Sequence, residues 1–159
     1  MIVAKHKTAG ELAVMRAQMH ARGQKLVFTN GCFDLLHAGH VRYLQAARAL
    51  GEALVVALNG DDSVRALKGP ARPINDERDR AEVLAALACV DFVTIFHEPR
   101  VTELIAKVRP HVYAKGGDYT VDSLDPGERA ALDAAGTAIR ILPLVAGKST
   151  TAILDRLHA

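Results

Sequence analysis

The stretch from Lys25 to Leu50, KLVFTNGCFDLLHAGHVRYLQAARAL, carries a strand into a helix through a turn that holds two histidines. Lys25–Thr29 is short, apolar and without polar alternation, which suits a strand covered on both faces of a parallel sheet. Gly39–Leu50 has apolar residues at helical spacing and runs into Gly51, a good C′ residue. A parallel strand needs a crossover before the next strand can pair with it, so this unit predicts strands and helices in alternation.

Working outward, runs of the same kind recur at Ala53–Leu58, Asp91–Phe96, His111–Ala114 and Ala138–Leu142. Helical stretches separate them. Asn75–Cys89 has Asn75 as its N-cap and Val83, Leu84 and Leu87 turned inward. Pro99–Val108 opens on proline and stops before Pro110. Asp125–Ala135 ends at Gly136, and Ser149–Leu157 follows the last strand. Upstream, Thr8-Ala-Gly-Glu11 fits a capping box, with Leu12, Met15 and Met19 on the core face of a helix that Gly23 ends. The pattern predicts an α/β fold, a doubly wound parallel sheet of five strands with right-handed crossovers. Residues 1–24 read as a helical extension and residues 25–159 as the main unit of a single domain. Asn59–Ile74 and Lys115–Leu124 read as irregular. Both follow strands, so both lie at the sheet edge where such folds bind ligands.

The composition sets bounds. A chain of 159 residues, half of them apolar and 24% charged, can bury a core of its own. A net charge of +2 and the absence of Trp give no argument for a nucleic-acid or membrane partner. The opening MIVAKHKTAGELAVM lacks the features of a signal peptide, and no apolar run nears the roughly 18–20 residues that span a bilayer. Cys32 and Cys89 read as two reduced thiols of a cytoplasmic protein.

The chemistry collects after the strands. After the first stand Thr29, Asn30, Gly31, Phe33 and Asp34, then His37 and His40. After the second stand Asn59 and Asp61, then Lys68 and Arg72. Lys115-Gly116-Gly117-Asp118-Tyr119 follows the fourth, and Gly147-Lys148-Ser149-Thr150-Thr151 the fifth. Amide-rich turns, cations, imidazoles and hydroxyls on one sheet edge suit a polyphosphate. His37 and His40, three apart, share a helix face, and Gly39 allows close approach to first-turn amides. Two imidazoles could donate to phosphate oxygens and stabilise charge growing in a phosphoryl transfer. A structural histidine pair fits the residues alone equally well. A phosphate-binding P-loop would need glycine at position 142, where Leu142 stands. Zinc would need ligands beyond the two histidines, so no metal ligand is assigned.

TNGCFDLLHAGHVRYL resembles the signature of the nucleotidyltransferases that carry a His-x-Gly-His motif, and Ser149-Thr150-Thr151 resembles their second signature. With LKGPARPIN, Val90–Val93 and KGGDY, the likeness is greatest to the heptose-1-phosphate adenylyltransferases of ADP-heptose synthesis, and it runs from about Lys25 to Leu157. Leu144 and Lys148 stand where the related glycerol-3-phosphate cytidylyltransferases carry Arg and Ile, which weakens a CTP reading.

The resemblance implies a Rossmann-like sheet of order 3-2-1-4-5. It also implies transfer of AMP from ATP to heptose 1-phosphate, giving ADP-heptose, a lipopolysaccharide core precursor, and pyrophosphate. Mg²⁺ would be held mainly by the phosphates. His37, His40 and Lys148 would be catalytic. Thr29, Asn30, Gly31, Phe33, Gly39, Gly116, Gly117, Asp118, Ser149 and Thr150 would hold the nucleotide. Asp34, Asn59, Asp61, Arg72, Arg80 and Lys115 would hold the acceptor, with Arg72 and Arg80 on its phosphate. The family often carries a fused sugar kinase, which the 24 residues before the first strand cannot hold, and often forms homodimers. The alternatives are a cytidylyltransferase for a small alcohol phosphate and a nucleotide-binding module without catalysis.

Overall fold

The computed structural model describes residues 2–158. Five parallel strands form one sheet: β1 (Leu26–Gly31), β2 (Ala53–Asn59), β3 (Phe92–Phe96), β4 (Val112–Gly116) and β5 (Ala138–Leu142). Their spatial order is β3-β2-β1-β4-β5. The chain moves outward from β1 to β3, then returns to the other side of β1 for β4. The crevice beyond the carboxyl ends of β1 and β4 is therefore the switch point of the sheet.

Both faces of the inner strands are covered, as the unalternating runs predict. Leu26, Phe28, Val55 and Tyr113 belong to one core cluster. There they meet α2 (Ala9–Ala21), α6 (Thr102–Val108) and α7 (Pro126–Ala135) through Leu12, Ile105 and Leu132. Val27, Leu54, Val56 and Val112 point the other way. They pack with α3 (Ala38–Arg48) and α5 (Glu77–Ala86) through Leu44 and Leu84. Successive residues along a strand alternate between these clusters, which is the period-two geometry of the pleat. β5, at the edge, is only half-buried, with Arg140 exposed.

Local chemistry sets the element ends. The capping box forms at α2: the Thr8 amide donates to Glu11 Oε2 at 2.8 Å and the Glu11 amide donates to Thr8 Oγ1 at 3.2 Å. α7 is closed by Asp125 at one end and by Gly136, left-handed at φ 68°, at the other. Four expectations need correction. α6 begins at Thr102 with Val101 as its N-cap, so Pro99 stands in the connection before it and not at its first turn. Asp76, not Asn75, caps α5, because its carboxylate takes the amides of Arg78 and Asp79. Val83 is 51% exposed; Leu84 alone of the expected trio is fully buried. The segment 59–74 is not all irregular: Asp61–Lys68 forms α4, which buries Ser63 and Val64 on one narrow face. The short α1 (Ile2–Lys5) precedes α2, and α8 (Thr150–His158) closes the described chain. Among the described residues no helix is long and apolar enough to cross a membrane.

Candidate functional site

The turn after β1 is shaped around the two imidazoles. His37 is the N-cap of α3, and its Nδ1 accepts from the Gly39 amide at 3.1 Å. A neutral ring that accepts at Nδ1 carries its proton on Nε2, which leaves that N–H to donate elsewhere. His40, one turn on, stacks on His37 with ring centroids 3.9 Å apart. Phe33 meets His40 edge-on at 5.4 Å from a left-handed backbone, φ 44°, that an aromatic residue rarely adopts. Gly31 makes room, since a Cβ there would lie 2.8 Å from Phe33 Cε2. Burial, with lesser contributions from His37 and Lys68, pushes His40 down to about 4. Burial and then Lys148 lower His37. At neutral pH the pair is therefore uncharged. It offers N–H donors to an anion without the repulsion of two stacked cations.

A second cluster ties the segment before α5 to the same turn. Asp34 accepts from Arg72 Nε at 2.6 Å and from the amides of Ile74 and Asn75 at 2.9 and 3.0 Å. Burial alone would raise its carboxyl, but the amides of Asn75 and Ile74, together with Arg72, outweigh it and the group sits below the usual carboxylate range. Asp34 thus fixes Arg72, whose Nη2 is buried without a partner. His40 Nδ1 is the other buried side-chain nitrogen without a partner among the described residues.

At the end of β4, Tyr113 donates to Asn30 Oδ1 at 2.7 Å, and Lys115 Nζ stands 3.3 Å from the same oxygen. Lys115 Nζ also lies 4.7 Å over the Tyr119 ring. Burial lowers the Lys115 ammonium, opposed by Glu128 and Asp118.

These groups wall a cleft of about 750 Å³ at the switch point. Of the residues expected from the sequence, Asn30, Gly31, Phe33, Asp34, His37, Gly39, His40, Asn59, Arg72, Lys115, Gly116, Asp118, Lys148, Ser149 and Thr150 line it. Four others do not. Thr29 is fully buried, with its hydroxyl 2.8 Å from Tyr43 Oη. Gly117 lies under the β5 exit, where a Cβ would come within 3.0 Å of Leu142 O. Arg80 is turned inward beneath the cleft, and its guanidinium donates to the carbonyls of Cys32, Asn59 and Asn75 and to Asp61 Oδ1. Four of its five N–H donors are so taken, and Asp61 is one of the groups that hold it. The cleft also brings in Arg100, Asp125 and Glu128, which the sequence reading missed.

Among the described residues no three His, Cys, Asp or Glu side chains converge as a cation cage. A Mg²⁺ ion fits this donor set only as one carried by a ligand's own phosphates, and no step below runs through it.

A parallel sheet of this order, with a histidine pair and a Ser-Thr helix start facing one cleft, is a nucleotidyltransferase arrangement. The chain belongs to the cytidylyltransferase-like family, whose model matches residues 28–153. It is 52% identical over 152 residues to the bifunctional protein HldE of Pelobacter propionicus, covering 96% of this chain and 31% of that protein. It is 52% identical over 143 residues to the bifunctional protein HldE of Magnetococcus marinus, covering 90% and 29%. The chain thus spans under a third of the length of these curated relatives. Among solved structures, the lipopolysaccharide core biosynthesis protein of Thermoplasma volcanium superposes with a TM-score of 0.62 at 30% identity, over 77% of this chain and 98% of that one. The pantoate-beta-alanine ligase of Francisella tularensis, at 15% identity and a TM-score of 0.57, shares the fold.

Proposed function

We propose that the chain is an adenylyltransferase that joins ATP and heptose 1-phosphate into ADP-heptose and releases pyrophosphate. The observation that carries the reading is the stacked His37–His40 pair at the start of α3, facing Lys148 and the start of α8 across one cleft. The space is tight, because a Cβ on Gly39 would lie 3.0 Å from Lys148 Cβ. The first-turn amides of α3 and α8, the His37 Nε2–H and the Lys148 ammonium suit the β- and γ-phosphates of a nucleotide. His40 is suited to the α-phosphate. Arg72, held by Asp34 with one nitrogen unpartnered, suits the acceptor's phosphate.

The acceptor's phosphate oxygen attacks the α-phosphorus in line as the bond to the pyrophosphate oxygen breaks. No covalent enzyme intermediate forms, and the protein's part is positioning and charge stabilisation. Gly116, Asp118 and Leu144 border the space for the nucleoside. The likeness in KGGDY and ARPIN, together with the core-biosynthesis name of the Thermoplasma protein, supports a sugar 1-phosphate as acceptor. The test is pyrophosphate release from ATP, CTP, GTP and UTP against heptose 1-phosphate, glycerol 3-phosphate and phosphoethanolamine. ATP with heptose 1-phosphate should dominate. Turnover of CTP with glycerol 3-phosphate instead would select the cytidylyltransferase alternative.

A further inference from the structure

We propose that Glu128 is a specificity residue, which accepts hydrogen bonds from hydroxyls of the acceptor sugar at the end of the cleft away from the histidines.

Glu128 is the third residue of α7, where the spacing from the Asp125 cap matches that of Glu11 from Thr8. Glu11 turns back and closes a capping box. Glu128 does not: its own amide donates to Asp125 Oδ1 at 3.2 Å, but its carboxylate makes no hydrogen bond or ion pair to any described residue. Yet Glu128 is only 6% exposed and lines the cleft. Its oxygens are not among the side-chain atoms buried without a partner, so they stay accessible, and the space they open to is the cleft. Its neighbours point to the class of ligand. Lys115 and Tyr119 line the same end, and Glu128 acts on the charge of both. An acceptor group beside an ammonium donor suits adjacent hydroxyls, each of which can give one hydrogen bond and receive another.

The ribose of the nucleotide and the acceptor sugar both carry such hydroxyls, and the position favours the acceptor. His37 and His40 sit on α3, on one side of the sheet, while α7 packs on the other. In-line transfer needs the attacking group opposite the departing pyrophosphate. With the pyrophosphate over α3 and α8 and the acceptor's phosphate on Arg72, the sugar that this phosphate carries has the α7 side of the cleft to occupy.

This inference rests on the nucleotidyl-transfer reading, so wild-type pyrophosphate release across the acceptor panel comes first, and any acceptor that the enzyme uses serves the second step. Glu128→Ala and Glu128→Gln are then compared with wild type for the KM of acceptor and of ATP, and for the penalty paid by a deoxy-sugar 1-phosphate. The expected result is an acceptor KM raised roughly ten- to a hundredfold, an unchanged ATP KM, and a deoxy penalty smaller than in wild type. An unchanged acceptor KM in the folded variants overturns the proposal. So does a rise confined to the KM of ATP, which would assign Glu128 to the ribose. So does an equal rise in both, which marks a general loosening of the cleft. Should wild type use no sugar phosphate at all, the heptose reading falls, while the Glu128 comparison still runs on whichever alcohol phosphate is turned over.

Discussion

His40 is the residue on which the chemistry leans most. Its ring is held between His37 and Phe33, and its Nδ1 has no partner. Removing one preorganised donor from a charge-stabilising site costs about 10²–10³ in turnover. His40→Ala should therefore lose about that factor in kcat while keeping a cooperative unfolding transition by circular dichroism. Near-normal turnover in the folded variant would count against the role. The same ring makes a pH prediction. Its folded pKa, about 4, lies below the 6.5 of an ordinary imidazole. Between those values the unfolded chain binds a proton that the folded chain refuses, so stability rises with pH there and is lost on acidification. His37 and His111 are lowered too, with the same sign. Thermal melts from pH 7 to pH 4 should fall less steeply for His40→Asn than for wild type; equal slopes would sink this. The sequence displayed the spacing of the pair. It did not display that His37 is spent partly as a helix cap, or that burial keeps both rings uncharged, because both depend on contacts made by the folded chain.

At the scale of elements, two connections leave little room for change. Gly51 passes between α3 and β2 so close to β1 that a Cβ would lie 2.6 Å from Lys25 O and 2.8 Å from Val27 Cγ2. Backbone cannot yield as a flexible side chain does, so Gly51→Ala should cost about 1–3 kcal/mol, read by urea denaturation. A loss under half a kcal/mol would show that the loop relaxes freely. Asp34 is a second such point. Its side chain is 1% exposed and it joins the β1 turn to Arg72, Ile74 and Asn75. Asp34→Ala leaves Arg72 without its counter-charge and should cost roughly 3–5 kcal/mol, lowering Tm by about 6–20 °C. It should also open Gly69–Ile74 to limited proteolysis, and an unchanged digestion pattern would argue against the tie. α4 escaped the sequence reading because DDSVRALK is polar and only two of its residues are buried. Asn75 misled for a local reason: its side chain donates to Asp34 O at 2.9 Å, so the cap passes to Asp76.

For the molecule as a whole, the sheet was largely legible. β-branched runs without alternation and the glycines after α3 and α7 mark the elements, whereas the order of strands came from resemblance, since crossover direction leaves no periodicity to read. The cleft was legible on its histidine side and much less so on its α7 side, where cleft residues look like helix-start acids. A ligand that binds only the folded state stabilises it by mass action, by about 2.7 kcal/mol at a hundred times its dissociation constant. ATP at that level should raise Tm by roughly 5–10 °C, and CTP by less; an equal shift with CTP would contradict the adenine preference. Arg80 adds a last consequence. Its guanidinium ties the turn after β1, the end of β2 and the segment before α5 into one frame. No hydrogen bond of that guanidinium reaches β4 or α7. That frame lies on the β2 side of β1, and the tie to β4 runs instead through Asn30, which takes Tyr113 and Lys115. Loss of the Arg80 guanidinium should therefore slacken the floor under Arg72 and the histidine turn while leaving the β4 side in place.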